Sequence, residues 1–227
     1  MARDVAREIE MNTGEKMPVI GFGTWNLAGR AEQPVLWALE AGYRHIDTAK
    51  IYDTETDIGR AVKKSGVPRE EIFITTKLWD DDQGYERAIR AIDASLDRLG
   101  MDYVDLYLIH WPNTDEPGGK DVRAETWRAM EHIFRAGKAR TIGVSNYERS
   151  HLAEMELYAE MPPAVNQVEM HPFKVPNDTV EYCHEHGIIV VNYSPLTRTQ
   201  YFGDETLNAI EKKHGKTVPQ VLLRWGV

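Results

Sequence analysis

Polar side chains stand at the ends of several short apolar runs in this 227-residue chain. The run His45–Thr48 contains Asp47, and the run Ile72–Lys77 ends on Lys77. If these runs are neighbouring parallel strands, Asp47 and Lys77 lie side by side at the carboxyl edge of the sheet. Opposite charges buried in such a place must pair. The pair is therefore either a salt bridge that serves only the fold or part of a catalytic site.

Tyr52 follows Asp47 in a loop that precedes a helix predicted to start near Thr54. The phenol of a tyrosine ordinarily has a pKa of about 10. A neighbouring lysine and a helix N-terminus both stabilise the phenolate, so the sequence predicts a lowered pKa for Tyr52. Such a phenol suits a general acid at neutral pH. The alternative is an exposed loop aromatic with no chemical role.

His110 ends the run Val104–His110, where it is either structural or part of the same site. Metal binding is the competing interpretation for a chain with eight histidines. None of them shows the spacing of a metal-binding helix. His184 and His186 are two positions apart on a predicted helix, so their side chains face different directions. We therefore expect no metal site.

Short β-branched runs alternate with helical patterns along the chain. Helices are predicted over Gly84–Leu99 and Arg123–Ala136, and a capped helix start is predicted at Thr217. A hairpin with its turn at Asn12–Gly14 is predicted over Glu8–Pro18. The strands are predicted at Val19–Thr24, His45–Thr48, Ile72–Lys77, Val104–His110, Thr141–Ser145, Ala164–Val168 and Ile188–Tyr193.

This alternation predicts a parallel sheet covered by helices, either an open doubly wound sheet or a barrel. An open sheet that binds a dinucleotide has a glycine-rich turn after its first strand. The segment Gly21–Asn26 lacks the third glycine of that turn and does not run directly into a helix. The predicted fold class is therefore α/β, a TIM (β/α)8 barrel with an N-terminal β-hairpin.

Composition excludes several classes of function. The net charge of -9 argues against a nucleic-acid binder. The single cysteine, Cys183, excludes an internal disulfide and suits a reducing compartment. No apolar run approaches the roughly 20 residues of a membrane span, and the N-terminal residues have no apolar signal core. We expect a cytoplasmic monomer whose partner is a small molecule.

Six segments, taken together, resemble the signatures of the aldo-keto reductases over essentially the whole chain. They are Gly42–Tyr52 (G-Y-R-H-I-D-T-A-K-I-Y), Ile74–Trp79 (I-T-T-K-L-W), Asp105–Pro112 (D-L-Y-L-I-H-W-P), Gly137–Asn146 (G-K-A-R-T-I-G-V-S-N), Asn166–Pro172 (N-Q-V-E-M-H-P) and Asn192–Leu196 (N-Y-S-P-L). The order and spacing of these segments agree with the family.

The resemblance implies NAD(P)H-dependent reduction of aldehydes or ketones, including sugar-derived carbonyls, to alcohols. It implies catalytic roles for Asp47, Lys77 and His110, with Tyr52 as the proton donor. The implied cofactor is NADPH rather than NADH, held by Gly23, Thr24, Asp47, Ser145, Asn146, Gln167, Tyr193, Ser194 and Leu196. The implied substrate pocket is formed by Trp25, Trp79, His110 and Trp111.

The chain differs from the family in its last part. Seven strand-helix units can be counted in residues 1–227, which we expect to form one barrel domain that lacks the eighth strand and helix. A gap is then expected between the first and seventh strands. The alternatives are a regulatory or redox-sensing barrel that binds cofactor with little turnover, and an inactive fragment. The loop Trp111–Asp121, with glycines after Pro117, suggests an open pocket.

Overall fold

The computed structural model describes residues 7–113 and 119–227. Its main sheet has seven parallel strands that pair in chain order, and a separate antiparallel hairpin precedes them. The predicted barrel-type α/β fold with an N-terminal hairpin is confirmed. Residues 114–118 belong to the loop that suggested an open pocket, and that prediction lies outside the described residues.

The elements have the following bounds. The hairpin consists of β1 (Glu8–Glu10) and β2 (Lys16–Pro18). The sheet consists of β3 (Phe22–Gly23), β4 (His45–Asp47), β5 (Phe73–Leu78), β6 (Val104–Ile109), β7 (Ala139–Ser145), β8 (Val165–Glu169) and β9 (Ile189–Tyr193). The helices are α1 (Glu32–Glu40), α2 (Glu55–Ser65), α3 (Tyr85–Leu99), α4 (Gly119–Arg135), α5 (Arg149–Met155), α6 (Asn177–Glu185), α7 (Glu205–His214) and α8 (Val218–Trp225).

The first sheet strand is shorter than predicted, since β3 covers only two residues of Val19–Thr24. The amide of Val19 donates to the carbonyl of Arg7 at 3.0 Å, so the start of this segment pairs with the chain beside the hairpin instead. Helix boundaries agree better with the sequence. Gly100 takes the left-handed conformation that ends α3, and Thr217 forms a capping box at the start of α8.

Within the described residues, β3 and β9 form the two edges of the sheet and do not pair with each other. The predicted gap between the first and seventh strands is therefore present. Both α7 and α8 follow β9. The arrangement agrees with a barrel of eight units in which seven strands are present.

Alternation along the strands assigns different tasks to the two faces of the sheet. On β6, Tyr107 and Ile109 belong to the large core between the sheet and its helices. Leu106 and Leu108 point to the opposite, inner face and belong to a smaller core. Because side chains two positions apart share a face, the inner face of β5 runs from Phe73 through Thr75 to Lys77. That of β6 runs from Leu106 through Leu108 to His110, so both end on a polar residue at the carboxyl end.

The hairpin seals the amino-terminal end of this inner face. Met11 and Met17 are buried there and pack with Phe73, Leu106 and Leu108. The thioether side chains fill an irregular space between strands. The inner face is consequently mostly apolar at its amino-terminal end, with His45 as a buried polar exception, and the predicted site residues lie at the opposite end.

His45 connects the hairpin to the sheet. Its ring nitrogens lie 3.3 Å from the carbonyl oxygen of Pro18 and 2.9 Å from the hydroxyl of Thr75. Burial is the main cause that lowers the pKa of His45 below its ordinary value of 6.5, because a charged imidazole would lose its hydration there. The buried ring is therefore neutral at physiological pH.

This burial predicts a loss of stability in mild acid. Below about pH 6.5 the unfolded chain takes up a proton at His45, whereas the folded chain does not. The free energy of unfolding should therefore decline as the pH falls from about 7.5 to about 5, as measured by denaturant titration. His45→Asn should flatten that dependence, and the exposed control His214→Asn should not. An equal pH dependence in His45→Asn and the parent protein would contradict the prediction.

Candidate active site

The predicted ion pair lies at the carboxyl end of the inner face. The ammonium of Lys77, on β5, donates to Oδ1 of Asp47 at 2.5 Å and to the carbonyl of Thr48 at 2.8 Å. Gln167, on β8, donates to the other carboxylate oxygen of Asp47 at 2.8 Å. Lys77 is wholly buried, and this burial, opposed by Asp47, lowers the pKa of its ammonium. The predicted proximity of Asp47 and Lys77 is confirmed.

Tyr52 reaches the same place from a 3-10 turn, Lys50–Tyr52, that follows β4. Asp53 then takes a left-handed conformation, with φ of 54°, and the chain turns into α2. The ammonium of Lys77 lies 5.0 Å from the centre of the Tyr52 ring. The turn therefore presents the phenol above the buried ion pair.

The predicted direction of the Tyr52 pKa is wrong. Burial is the largest cause and raises the pKa of Tyr52 above its ordinary value, and the negative charge of Asp47 raises it further. Lys77 cannot reverse this shift, because its own charge is already paired with Asp47. The phenol is consequently protonated at neutral pH, which is the form that a proton donor requires.

His110 lies directly after β6, beside the phenol. Its Nε2 is 3.4 Å from the hydroxyl of Tyr52, and within the described residues its buried Nδ1 has no hydrogen-bond partner. Burial and the nearby charge of Lys77 lower the pKa of His110 to about 3. The imidazole is neutral at physiological pH and can donate one hydrogen bond from the ring nitrogen that holds its proton.

A polar network borders the other side of this group. Asn146 donates to the carbonyl of His110 at 2.9 Å and accepts a hydrogen bond from the hydroxyl of Tyr193 at 2.9 Å. Ser145 donates to the carbonyl of Gln167 at 2.8 Å. Asn146 has a left-handed backbone, with φ of 60°, which an asparagine tolerates better than most residues. These bonds fix the side chains of Ser145 and Asn146 at the end of β7 and that of Tyr193 at the end of β9.

The groups open into one cavity of about 460 Å³. All but two of the predicted site residues line it, and the sequence analysis missed Ile51 and Arg198. The lining consists of Gly23, Thr24, Trp25, Asp47, Ile51, Tyr52, Trp79, His110, Trp111, Ser145, Asn146, Gln167, Tyr193, Ser194 and Arg198.

The two exceptions have different positions. Lys77 does not line the cavity. Its ammonium donates to Asp47 and lies close to the Tyr52 ring, and both of those residues do line it. Leu196 instead packs against the apolar cluster of Leu207 and Leu222 on α7 and α8. Ile51 adjoins Tyr52 in a motif already quoted, so it could have been included on that basis.

Three tryptophans form the walls of the cavity. The Trp79 ring meets the His110 ring edge to face, with centres 5.2 Å apart. The Trp111 ring is nearly parallel to that of His110, with the ring centres 6.5 Å apart and an angle of 15° between the ring planes. Trp25 stands at the rim and is 52% exposed. The predicted pocket residues are thus together around the predicted catalytic group.

The family model of the aldo/keto reductases matches residues 19–227. The chain belongs to the aldo/keto reductase family. It is 46% identical over 219 residues to the glyoxal reductase of Bacillus subtilis, an alignment that covers 96% of this chain and 77% of that relative. The resemblance read from the six motifs is confirmed.

Solved structures of aldo/keto reductases superimpose closely on this one. A crystal structure from Brucella melitensis has a TM-score of 0.91 at 43% identity, covering 96% of this chain and 83% of that chain. An aldo-keto reductase from Bombyx mori, in complex with NADP, has a TM-score of 0.89 at 36% identity, with coverage of 97% and 80%.

The family implies a nicotinamide cofactor, and the polar network of this aldo/keto reductase fits one. Nε2 of Gln167 donates to Asp47, which fixes the orientation of this side chain at the cavity. The side chains of Gln167, Ser145 and Asn146 line the cavity and carry both hydrogen-bond donors and acceptors, as recognition of a carboxamide requires. The ring of Tyr193 supplies a flat surface beside them.

Two other properties of this aldo/keto reductase concern the described residues only. No helix there is both long enough and apolar enough to cross a bilayer. No cluster of three or more His, Cys, Asp or Glu side chains in the same residues is arranged to hold a metal ion. The expectation of a metal-free site stays a prediction.

Proposed function

We propose that this aldo/keto reductase reduces aldehydes and ketones to alcohols with NADPH, and that Tyr52 is the proton donor. The observation that supports the proposal most directly is the convergence of Tyr52, His110 and the Lys77–Asp47 pair on one cavity. The glyoxal reductase relative and the NADP complex of a structural neighbour agree with it.

Ser145, Asn146 and Gln167 would hold the carboxamide of the nicotinamide, and Tyr193 would pack against its ring. Gly23, Thr24, Asp47 and Ser194 line the same cavity and would complete the binding site, with Leu196 beyond its lining. When bound, a reduced nicotinamide supplies the hydride. These residues would hold its ring close to the substrate carbonyl and exclude water from that space.

The protein residues handle the proton. The neutral imidazole of His110 orients the substrate carbonyl and donates a hydrogen bond to its oxygen. Tyr52, held protonated by burial, gives its proton to the same oxygen as negative charge develops there. Lys77 then stabilises the phenolate that remains, because its ammonium lies 5.0 Å from the ring centre.

The pocket walls favour a small substrate. Trp25, Trp79 and Trp111 provide apolar surfaces around a cavity of about 460 Å³, which accommodates a nicotinamide ring and a small carbonyl compound. Short aldehydes and ketones, including sugar-derived carbonyls, are the proposed substrate class.

The direct test follows NADPH absorbance in the presence of glyoxal or another generic aldehyde. We expect oxidation of NADPH that depends on aldehyde and exceeds the rate with NADH. Fluorescence titration with NADPH separates the alternatives: tight binding without turnover would favour a regulatory barrel. The absence of both NADPH binding and turnover would contradict the proposed function.

A further inference from the structure

Three buried threonine hydroxyls form a chain of hydrogen bonds next to the turn that carries Tyr52. Oγ1 of Thr48 lies 2.7 Å from Oγ1 of Thr54, which in turn lies 3.1 Å from Oγ1 of Thr24. Thr24 donates to the carbonyl oxygen of Asp47 at 3.0 Å. All three threonines are wholly buried. The chain of hydroxyls therefore links the ends of β3 and β4 to the start of α2.

The direction of each hydrogen bond in this chain follows from its last acceptor. A carbonyl oxygen can only accept, and a threonine hydroxyl has one proton to donate. Because Thr24 donates its proton to Asp47, its oxygen accepts from Thr54. The oxygen of Thr54 must then accept from Thr48. Thr54 is the central member of the chain, so removal of its hydroxyl breaks two hydrogen bonds at once.

Thr54 stands at the N-cap of α2, where a threonine hydroxyl ordinarily accepts from an amide of the first helical turn. Among the described residues its side chain makes no such bond, and its hydroxyl is bonded to the two other threonines instead. Thr217 shows the ordinary arrangement, since its hydroxyl accepts from the amide of Gln220 at the start of α8. Helix capping therefore does not account for the hydroxyl of Thr54.

The bond between Thr48 and Thr54 closes the turn that carries Tyr52, because the two threonines flank this turn and lie six positions apart. The carbonyl of Thr48 also accepts from the ammonium of Lys77 at 2.8 Å. Thr48 is thus bonded to Lys77 through its backbone and to the far flank of the turn through its side chain. The hydroxyl chain consequently connects the support of the ammonium with the support of the phenol.

We propose that Thr54 is a positioning residue for the proton donor, and that its two hydrogen bonds fix the Tyr52 phenol relative to its neighbours. This inference rests on the proposed function, in which Tyr52 gives its proton to the substrate oxygen. The ring centre lies 5.0 Å from the ammonium of Lys77, and the hydroxyl lies 3.4 Å from Nε2 of His110. A misplacement of about 1 Å can slow a chemical step by about 10²-fold. Thr54 thus contributes to the rate through Tyr52.

Thr54→Val removes the hydroxyl and keeps the branched shape of the side chain. The single-turnover rate of aldehyde reduction should fall by about tenfold or more, while the Kd for NADPH and the KM for the aldehyde change little. A slower proton transfer should also enlarge the solvent deuterium isotope effect on that step. Thr54→Ser keeps both hydrogen bonds, so it should recover most of the rate and the isotope effect of the parent protein.

Thr48→Val tests the same 2.7 Å bond from the other flank, also where Thr54→Val does not fold, and leaves the carbonyl that holds Lys77 in place. The rate should again fall, and the double variant should be little slower than Thr54→Val alone. Thr141→Val is the matched control, because Thr141 is also wholly buried and bonded to another threonine, Thr13, at 3.0 Å. That bond lies at the hairpin turn, so the rate should stay at the parent value.

The inference is overturned if Thr54→Val keeps the parent rate in a protein whose Tyr52→Phe variant has lost it, a result that leaves the proposed function intact. Equal losses in Thr54→Val and Thr141→Val would also overturn it, because they would reflect packing in general. So would a loss that saturating NADPH restores, which would assign the hydroxyl to the cofactor site through Thr24. A parent-like rate in Tyr52→Phe would instead overturn the proposed proton donor, and the role of Thr54 with it.

Discussion

Replacement of Tyr52 by phenylalanine should lower the rate of carbonyl reduction by about 10²–10⁴-fold, the usual contribution of a positioned general acid. Phenylalanine fills the same space beside His110 but has no proton to give. Affinity for NADPH should change little, because the side chains expected to contact the nicotinamide are unaltered. The measurement is single-turnover reduction of an aldehyde together with fluorescence titration of the cofactor.

Tyr85→Phe is a suitable control for Tyr52→Phe. The Tyr85 hydroxyl bonds to His132 on the outer helices, at 3.1 Å, so its removal should leave the chemical step intact. If Tyr52→Phe retains more than about a third of the parent rate in that step, far above the residual rate expected without a general acid, Tyr52 is not the proton donor.

Replacement of Lys77 by methionine should damage both activity and stability. Loss of the ammonium leaves the Asp47 carboxylate largely buried, with Gln167 as its one side-chain partner among the described residues. This should cost on the order of 3 kcal/mol of unfolding free energy. Turnover should also fall, because the phenolate of Tyr52 loses its nearby positive charge. The pKa of Tyr52 should rise further, which moves the ionisation seen in alcohol oxidation to higher pH.

A double variant separates the two roles of Lys77. Combining Lys77→Met with Asp47→Asn removes both charges, so the unfolding free energy should largely recover while activity stays low. Normal turnover with an unchanged pH profile in folded Lys77→Met would show that Lys77 serves only the fold. The required measurements are denaturant titrations and pH-rate profiles of the parent protein, of Lys77→Met and of the double variant.

The inner face of the sheet could be predicted because strand alternation is a local property of sequence. Asp47, Lys77 and Gln167 each stand at the carboxyl end of a short apolar run, and parallel strands bring such ends together. The sequence also predicted the hairpin and the capping residue Thr217. In each case a few adjacent residues are sufficient to determine the geometry.

The features that the sequence did not predict depend on contacts between distant parts of the chain. The pKa of Tyr52 rises because several elements bury it, and no local pattern reports that burial. Arg198 belongs to no motif, and its left-handed turn occurs without a glycine, so nothing in the sequence places it at the cavity. Val19 leaves the first strand because it pairs beside the hairpin.

The position of the hairpin, at the end of the sheet opposite the cavity, is useful for immobilising the enzyme. The hairpin lies at the amino-terminal ends of the strands, whereas the cavity opens at their carboxyl ends. A resin or electrode attached near the turn Asn12–Gly14 would therefore face away from the cavity mouth and leave diffusion of small molecules unobstructed. Attachment sites on the turn after β9 would have the opposite effect, since Arg198 lies at the rim.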